Sequence, residues 1–105
     1  MKRGEVWTVA LDPTVGSEIQ KTRPCLIVSP DVMTQGLRTI MVVPLTSRGH
    51  AASFRISVSF KGVSGLLLLD QIRTVDKKRF LRRVGKVDEK TVVAALAMLR
   101  WIFAE

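Results

Sequence analysis

Apolar residues fall in short runs along most of the chain, and only its last stretch carries a helical period. Glu5-Val6-Trp7-Thr8-Val9-Ala10-Leu11 reads as a strand that Asp12-Pro13 stops, because proline restricts its predecessor and has no amide to donate. Residues 13–24 are polar, with Gly16, Ser17, Glu18, Lys21, Thr22 and Arg23 ahead of Pro24, and predict a loop long enough to arch over a surface. Cys25–Ser29 and Ile40–Leu45 are apolar, largely β-branched runs beside Pro30 and Pro44, the mark of two buried strands. From Phe54 to Lys61 the alternation is strict, placing Phe54, Ile56, Val58 and Phe60 on one face. Lys61-Gly62-Val63-Ser64-Gly65 supplies turn residues, and Leu66–Leu69 resumes as a strand leading into Asp70-Gln71-Ile72-Arg73-Thr74-Val75.

Further on, Asp76 predicts the cap of a short helix over Lys77–Arg83 that Gly85 ends, with Phe80, Leu81 and Val84 on its buried side. Asp88 and Glu89 open a second helix running to about Ala104. Val92, Leu96, Leu99 and Phe103 form its apolar stripe, widened by Val93, Ala97 and Trp101, and a stripe this broad packs on the sheet. There is no internal repeat, linker or low-complexity segment. The elements describe a mainly β fold, a small curled antiparallel sheet or barrel closed by a C-terminal helix. With 105 residues, one domain spanning 1–105 is expected, so any active site shares the scaffold of the core.

Charge narrows the class of partner. The formal net charge of +8 favours a polyanion, since phosphate contacts release condensed counterions, although a basic surface also serves solubility alone. It is unevenly placed: no carboxylate occurs between Val32 and Leu69, where Arg38, Arg48, Arg55 and Lys61 lie. A second block from Arg73 to Lys86 has seven basic residues against Asp76, and reads equally as a solvated helix face. No secretory signal or membrane span is visible, so a cytoplasmic protein without a membrane partner is expected. Cys25 is the only cysteine and lies in an apolar run, as a packed thiol would.

With one histidine and one cysteine the chain has no zinc spacing, and no glycine pattern resembles a nucleotide loop; neither a metal nor a nucleotide cofactor is expected. His50 lies in Ser47-Arg48-Gly49-His50 with no nucleophile elbow near it, and reads as a loop residue. What remains suits phosphoryl transfer on RNA. Cleavage by an internal 2′-hydroxyl needs a base, an acid for the leaving 5′-oxygen, and cations or donors for the phosphorane charge. Arg23 offers the cation, Thr46 and Ser47 the donors, and Glu18 a base. Each has an ordinary structural alternative: Arg23 as partner of a nearby carboxylate, Thr46-Ser47 as turn chemistry. Phe54 and Trp7 are candidate stacking platforms on strand faces equally consistent with core.

Five segments in register from end to end resemble the MazF/PemK (Kid) toxins of bacterial toxin–antitoxin pairs. These are Arg3-Gly4-Glu5-Val6-Trp7 with Leu11-Asp12-Pro13-Thr14-Val15-Gly16-Ser17-Glu18, Thr22-Arg23-Pro24 leading into Leu26-Ile27-Val28-Ser29-Pro30, Val43-Pro44-Leu45-Thr46-Ser47, and Asp70-Gln71-Ile72-Arg73-Thr74-Val75-Asp76. The resemblance implies an SH3-like small barrel with a C-terminal helix, a homodimer, and metal-independent, sequence-specific cleavage of single-stranded RNA leaving a 2′,3′-cyclic phosphate and a 5′-hydroxyl. It also implies inhibition by a cognate MazE-like antitoxin whose acidic C-terminal tail lies in the RNA groove.

Residue by residue, the resemblance puts Arg23 and Thr46 at the scissile phosphate and matches Glu18 to a loop acid. Ser17, Ser47, Arg48, Asp70 and Gln71 are expected to line the substrate groove. The chain departs from Kid-type members at Ser17, where they have a histidine, and at Leu68, where they have an arginine. Those departures favour the Arg23/Thr46 arrangement and leave Asp70 a structural or substrate-positioning role. Two other readings compete: a non-catalytic, CcdB-like poison of a protein target, and an RNA-binding module without turnover.

Overall fold

The computed structural model describes the backbone of residues 1–105 and every side chain except that of Val63. Among the described residues, the strands are β1 (Glu5–Ala10), β2 (Thr22–Ile27), β3 (Thr39–Thr46), β4 (Ile56–Phe60), β5 (Val63–Leu67), β6 (Arg73–Asp76) and β7 (Phe80–Lys86). Two α-helices, α1 (Asp31–Gly36) and α2 (Glu89–Phe103), and two 3-10 turns, Leu69–Gln71 and Lys77–Arg79, complete the chain. All strand pairs are antiparallel, in the order β4-β5-β3-β2-β1-β7, with β6 also on β3.

The curl originates in β3, which changes partner along one edge. Thr39–Val42 pair with β6, and Leu45 and Thr46 pair with β5. The switch falls at Pro44, a residue with no ladder donor, whose carbonyl accepts from the Leu68 amide at 3.0 Å. Side chains of both parities are therefore buried. Val9, Leu11, Cys25, Ile27, Ile40, Val42, Val75 and Phe80 fill one core, while Val6, Leu26, Val43, Leu45, Leu67 and Leu69 join Ala95 of α2 in the other. The result is a mainly β, curled half-barrel with a C-terminal helix, as expected.

Three local expectations are corrected. The short helix over Lys77–Arg83 is absent: Asp76 does cap, accepting from the Lys78 amide at 2.8 Å, but only one 3-10 turn follows before β7 pairs with β1. Register shifts fall between Val6 and Trp7 and between Thr8 and Val9, so Leu81 and Val84 are bulged out of the pairing. Two bulges erase the period-two signal and leave apolar positions at helix-like spacing. The short helix is instead α1, whose one buried side chain, Thr34, exchanges a 3.1 Å hydrogen bond with Ser29 Oγ. β4 starts at Ile56, after Phe54, and its turn is only Lys61-Gly62, both with positive φ, as a two-residue hairpin requires.

Helix α2 is capped by Asp88, whose Oδ1 accepts from the Thr91 amide at 2.8 Å, an arrangement that contributes about 1 kcal/mol. The face turned to the core carries Ala95, Met98, Leu99 and Ile102. This is one position round from the expected stripe, and Val93, Trp101 and Phe103 stay 59%, 63% and 71% exposed.

Candidate active site

Continuing the Cys25–Pro44 pairing two residues outward brings Arg23 of β2 opposite Thr46 at the end of β3. Both residues line two concavities. One, of about 660 Å³, is bounded by Pro24, Leu45, Ser47, Arg48, Phe60 and Lys61, with Ser64, Gly65 and Val84 behind. The other, of about 540 Å³, lies under the loop preceding β2 and takes in Ser17, Lys21, Arg48, His50, Arg55 and Gln71. Among the described residues no carboxylate lines either wall. A groove with cations on both sides of a shared pair of residues concentrates anions.

Arg23 is held by the ladder on the β1 side, its backbone facing Val9. Among the described residues its Nε is the buried side-chain polar atom without a hydrogen-bond partner. A buried donor left unpaired costs about 1–3 kcal/mol. Thr46 Oγ1 accepts from the Arg48 amide at 3.1 Å, which orients the hydroxyl and leaves its proton free to donate. Among the described residues no carboxylate pairs with Arg23, so the alternative of its neutralising a neighbouring carboxylate is not realised.

Of the residues expected to contact substrate, Ser17, Ser47, Arg48 and Gln71 come to the walls with Arg23 and Thr46. Glu18 does not. It is exposed, its amide closes a turn on the Val15 carbonyl at 3.2 Å, and it lines neither concavity. Asp70 is also off the walls, because Arg55 Nε and Nη2 both donate to its carboxylate at 3.0 Å. That pairing holds the Asp70 carboxyl below its ordinary value, the hydrogen bonds from Arg55 outweighing burial. Lys21, Arg55 and Lys61 line the walls although sequence reasoning did not single them out as site residues; the spacing of Arg55 from Asp70 gives no local signal.

The basic block is largely spent on structure at one end. Arg73 Nη1 donates to the Leu11 carbonyl at 3.2 Å, and Arg79 Nη1 to those of Ala10 and Asp12, so two guanidinium groups secure the exit of β1. Arg82 and Arg83 are exposed, the latter 3.5 Å from Glu5. Trp7 packs edge-on to Phe80, with centroids 6.0 Å apart, and donates to Glu5 at 2.8 Å, while Phe54 lies beside Arg55; neither ring lines the concavities. Cys25 is buried, and burial pushes its thiol up to about 12. Among the described residues no cluster of three or more metal-ligating side chains occurs, and no helix is long and apolar enough to cross a membrane.

Residues 2–103 match the family described as PemK-like, MazF-like toxin of type II toxin-antitoxin system, and the chain belongs to that family. It is 42% identical over 108 residues to the Escherichia coli protein named Endoribonuclease PemK, covering 97% of this chain and 81% of that one. In fold it is similar to MazF from Deinococcus radiodurans, with a TM-score of 0.87, 23% identity, and 97% and 94% of the two chains covered. It is also similar to an endoribonuclease from a Mycobacterial species solved with its cognate antitoxin, with a TM-score of 0.81, 20% identity, and 96% and 92% covered.

Proposed function

We propose that this endoribonuclease toxin draws single-stranded RNA across the two concavities and cleaves it at a phosphate bound between Arg23 and Thr46. The observation that carries the reading is the convergence of Arg23 and the oriented Thr46 hydroxyl on both concavities, whose walls carry further cations and, among the described residues, no carboxylate. In the reaction the 2′-hydroxyl loses its proton as its oxygen attacks the adjacent phosphorus, the bond to the 5′-oxygen breaks, and the departing 5′-oxygen takes up a proton. The products end in a 2′,3′-cyclic phosphate and a 5′-hydroxyl. Arg23 balances the charge that grows on the non-bridging oxygens, and Thr46 and Ser47 donate to them. No metal enters these steps. Ser17, Arg48 and Gln71 hold the flanking nucleotides, with splayed bases offering their edges to the walls.

The toxin acts in the cytoplasm as a homodimer, and a cognate antitoxin with an acidic C-terminal tail neutralises it by occupying the same groove. The exposed Val93, Trp101 and Phe103 of α2 support burial of that face by a second protein chain, and the relative solved with its antitoxin supports the protein inhibitor. The cation-lined walls complement an acidic tail as they do RNA.

Incubation of the purified protein with a long unstructured transcript in EDTA tests the reading. Fragments carrying cyclic phosphate and 5′-hydroxyl ends at a recurring word are expected. RNA left intact at high enzyme excess would leave the protein a poison of another protein, or a binder without turnover.

A further inference from the structure

The two loops that wall the second concavity are fastened to a single short element. In the first loop, the Ile19 amide donates to Gln71 Oε1 at 2.8 Å. In the second, between β3 and β4, the His50 carbonyl accepts from Arg55 Nη1 at 2.9 Å, while the other edge of the same guanidinium grips Asp70 at 3.0 Å through Nε and Nη2. Asp70 and Gln71 are consecutive residues of the 3-10 turn Leu69–Gln71. That turn is itself anchored in the core, since Leu69 is fully buried and the Gln71 amide bonds the Leu68 carbonyl at 2.9 Å. One turn, held to the core, thus bonds both polar loops.

We propose that the Leu69–Gln71 turn is the fastening point of the RNA-reading loops, with Arg55 as the positioning residue that holds the Ser47–Phe54 loop to it. The inference rests on the nuclease reading and goes beyond it by assigning control of the accepted RNA word to residues behind the groove. The physical basis is preorganisation. A loop already held in its binding shape pays less ordering entropy when RNA arrives, and a fixed gap between walls rejects bases of the wrong outline. Arginine suits this place because its planar fork satisfies a carboxylate and a carbonyl at once, whereas a lysine offers a point charge. The Gln71 amide nitrogen stays free to donate into the cleft.

The test compares wild type with Arg55→Ala, Arg55→Lys, Asp70→Asn and the Arg55→Ala/Asp70→Asn double variant. Amide hydrogen exchange of residues 47–54 is read without RNA, and KM, kcat and the cleavage word are read on a long transcript. Faster exchange in 47–54 is expected for Arg55→Ala and Asp70→Asn, with partial recovery in Arg55→Lys. KM should rise about 10-fold while kcat falls less than about threefold, the word should broaden, and the double variant should be no worse than the worse single one.

Unchanged exchange in Arg55→Ala and Asp70→Asn overturns the proposal, and so does a lowered KM in Asp70→Asn, which would mean that Asp70 only offsets a positive charge that faces the RNA. Additive losses, with a salt slope reduced by about one in Arg55→Ala, would instead make Arg55 a direct phosphate contact. A wild type that fails to cut RNA refutes the nuclease reading, and the exchange arm still decides the fastening. If Arg55→Ala does not fold, Arg55→Lys and Asp70→Asn carry the comparison.

Discussion

Gly65 on β5 lies so close to Thr46 on β3 that a side-chain carbon at Gly65 would stand 2.8 Å from the Thr46 carbonyl oxygen. The neighbouring Leu66 is the register partner of Thr46, so the backbone of β5 serves as the rear wall against which the proposed phosphate-binding hydroxyl is set. Gly65→Ala should push β5 away and carry Thr46 out of line with Arg23. We expect a stability loss of about 1–3 kcal/mol from overpacking, together with a fall in cleavage larger than that loss explains at a temperature where the variant is fully folded. Thermal melting and initial rates on one RNA substrate measure both, and a variant with wild-type activity would show that β5 does not position Thr46.

Arg23→Ala separates catalysis from stability in the opposite sense. Removing a guanidinium whose Nε is buried without a partner relieves the molecule of an unsatisfied donor, so the melting temperature should hold or rise. Cleavage should fall by about 10²–10³-fold, the scale of losing one preorganised donor to a transition-state anion. Thr46→Ala should act similarly on the rate. Retention of near wild-type activity by Arg23→Ala would refute the assigned chemistry.

The Arg55–Asp70 pair predicts an acid limb of stability. Because the Asp70 carboxyl is held below its ordinary value of 3.8 by the hydrogen bonds from Arg55, its contribution is present above 3.8 and is lost as pH falls through the lowered value. Asp70→Asn should therefore melt below wild type near neutral pH, with the gap closing as pH falls below 3.8 through the lowered value. The side chains are 18% and 32% exposed, so solvent screening limits the gap to about 1 kcal/mol. Melting curves across pH 2–7 give the answer; a gap that stays constant through the acid range would mean the pair is not linked to Asp70 ionisation.

Cys25 should report unfolding. Burial pushes its thiol from an ordinary 9.0 up to about 12, so at neutral pH the folded protein offers neither access nor thiolate to an alkylating reagent. Labelling should be undetectable in the native protein and rapid in guanidinium chloride. The same shift means that stability is intact below 9.0 and declines as pH rises towards 12, because the unfolded thiol ionises first. Cys25→Ala should leave cleavage within about twofold of wild type, since the thiol faces the core cluster rather than the groove. Fast native labelling would contradict the packing.

The strand runs at Glu5–Leu11, Cys25–Ser29, Ile40–Leu45 and Phe54–Lys61 were legible because apolar spacing within a strand is a property of neighbouring residues, and α2 was legible for the same reason. The block from Lys77 to Lys86 was not. Its two bulges answer to β1, some seventy positions earlier, and no local period records a partner that distant.

The same division runs through the site. Residue types and their order determined that a polar, basic loop ending at Arg23-Pro24 precedes a strand and that Thr46 follows another, and the end-to-end resemblance named the chemistry. Which cations face the groove was decided only by tertiary structure: Arg73 and Arg79 bind backbone carbonyls, and Arg55 and Asp70 cancel each other across fifteen residues. Among the described residues, Arg23 alone keeps a buried donor unpaired. A side chain's charge is written in the sequence, but whether that charge is already satisfied depends on which distant groups the fold brings within about 3 Å of it.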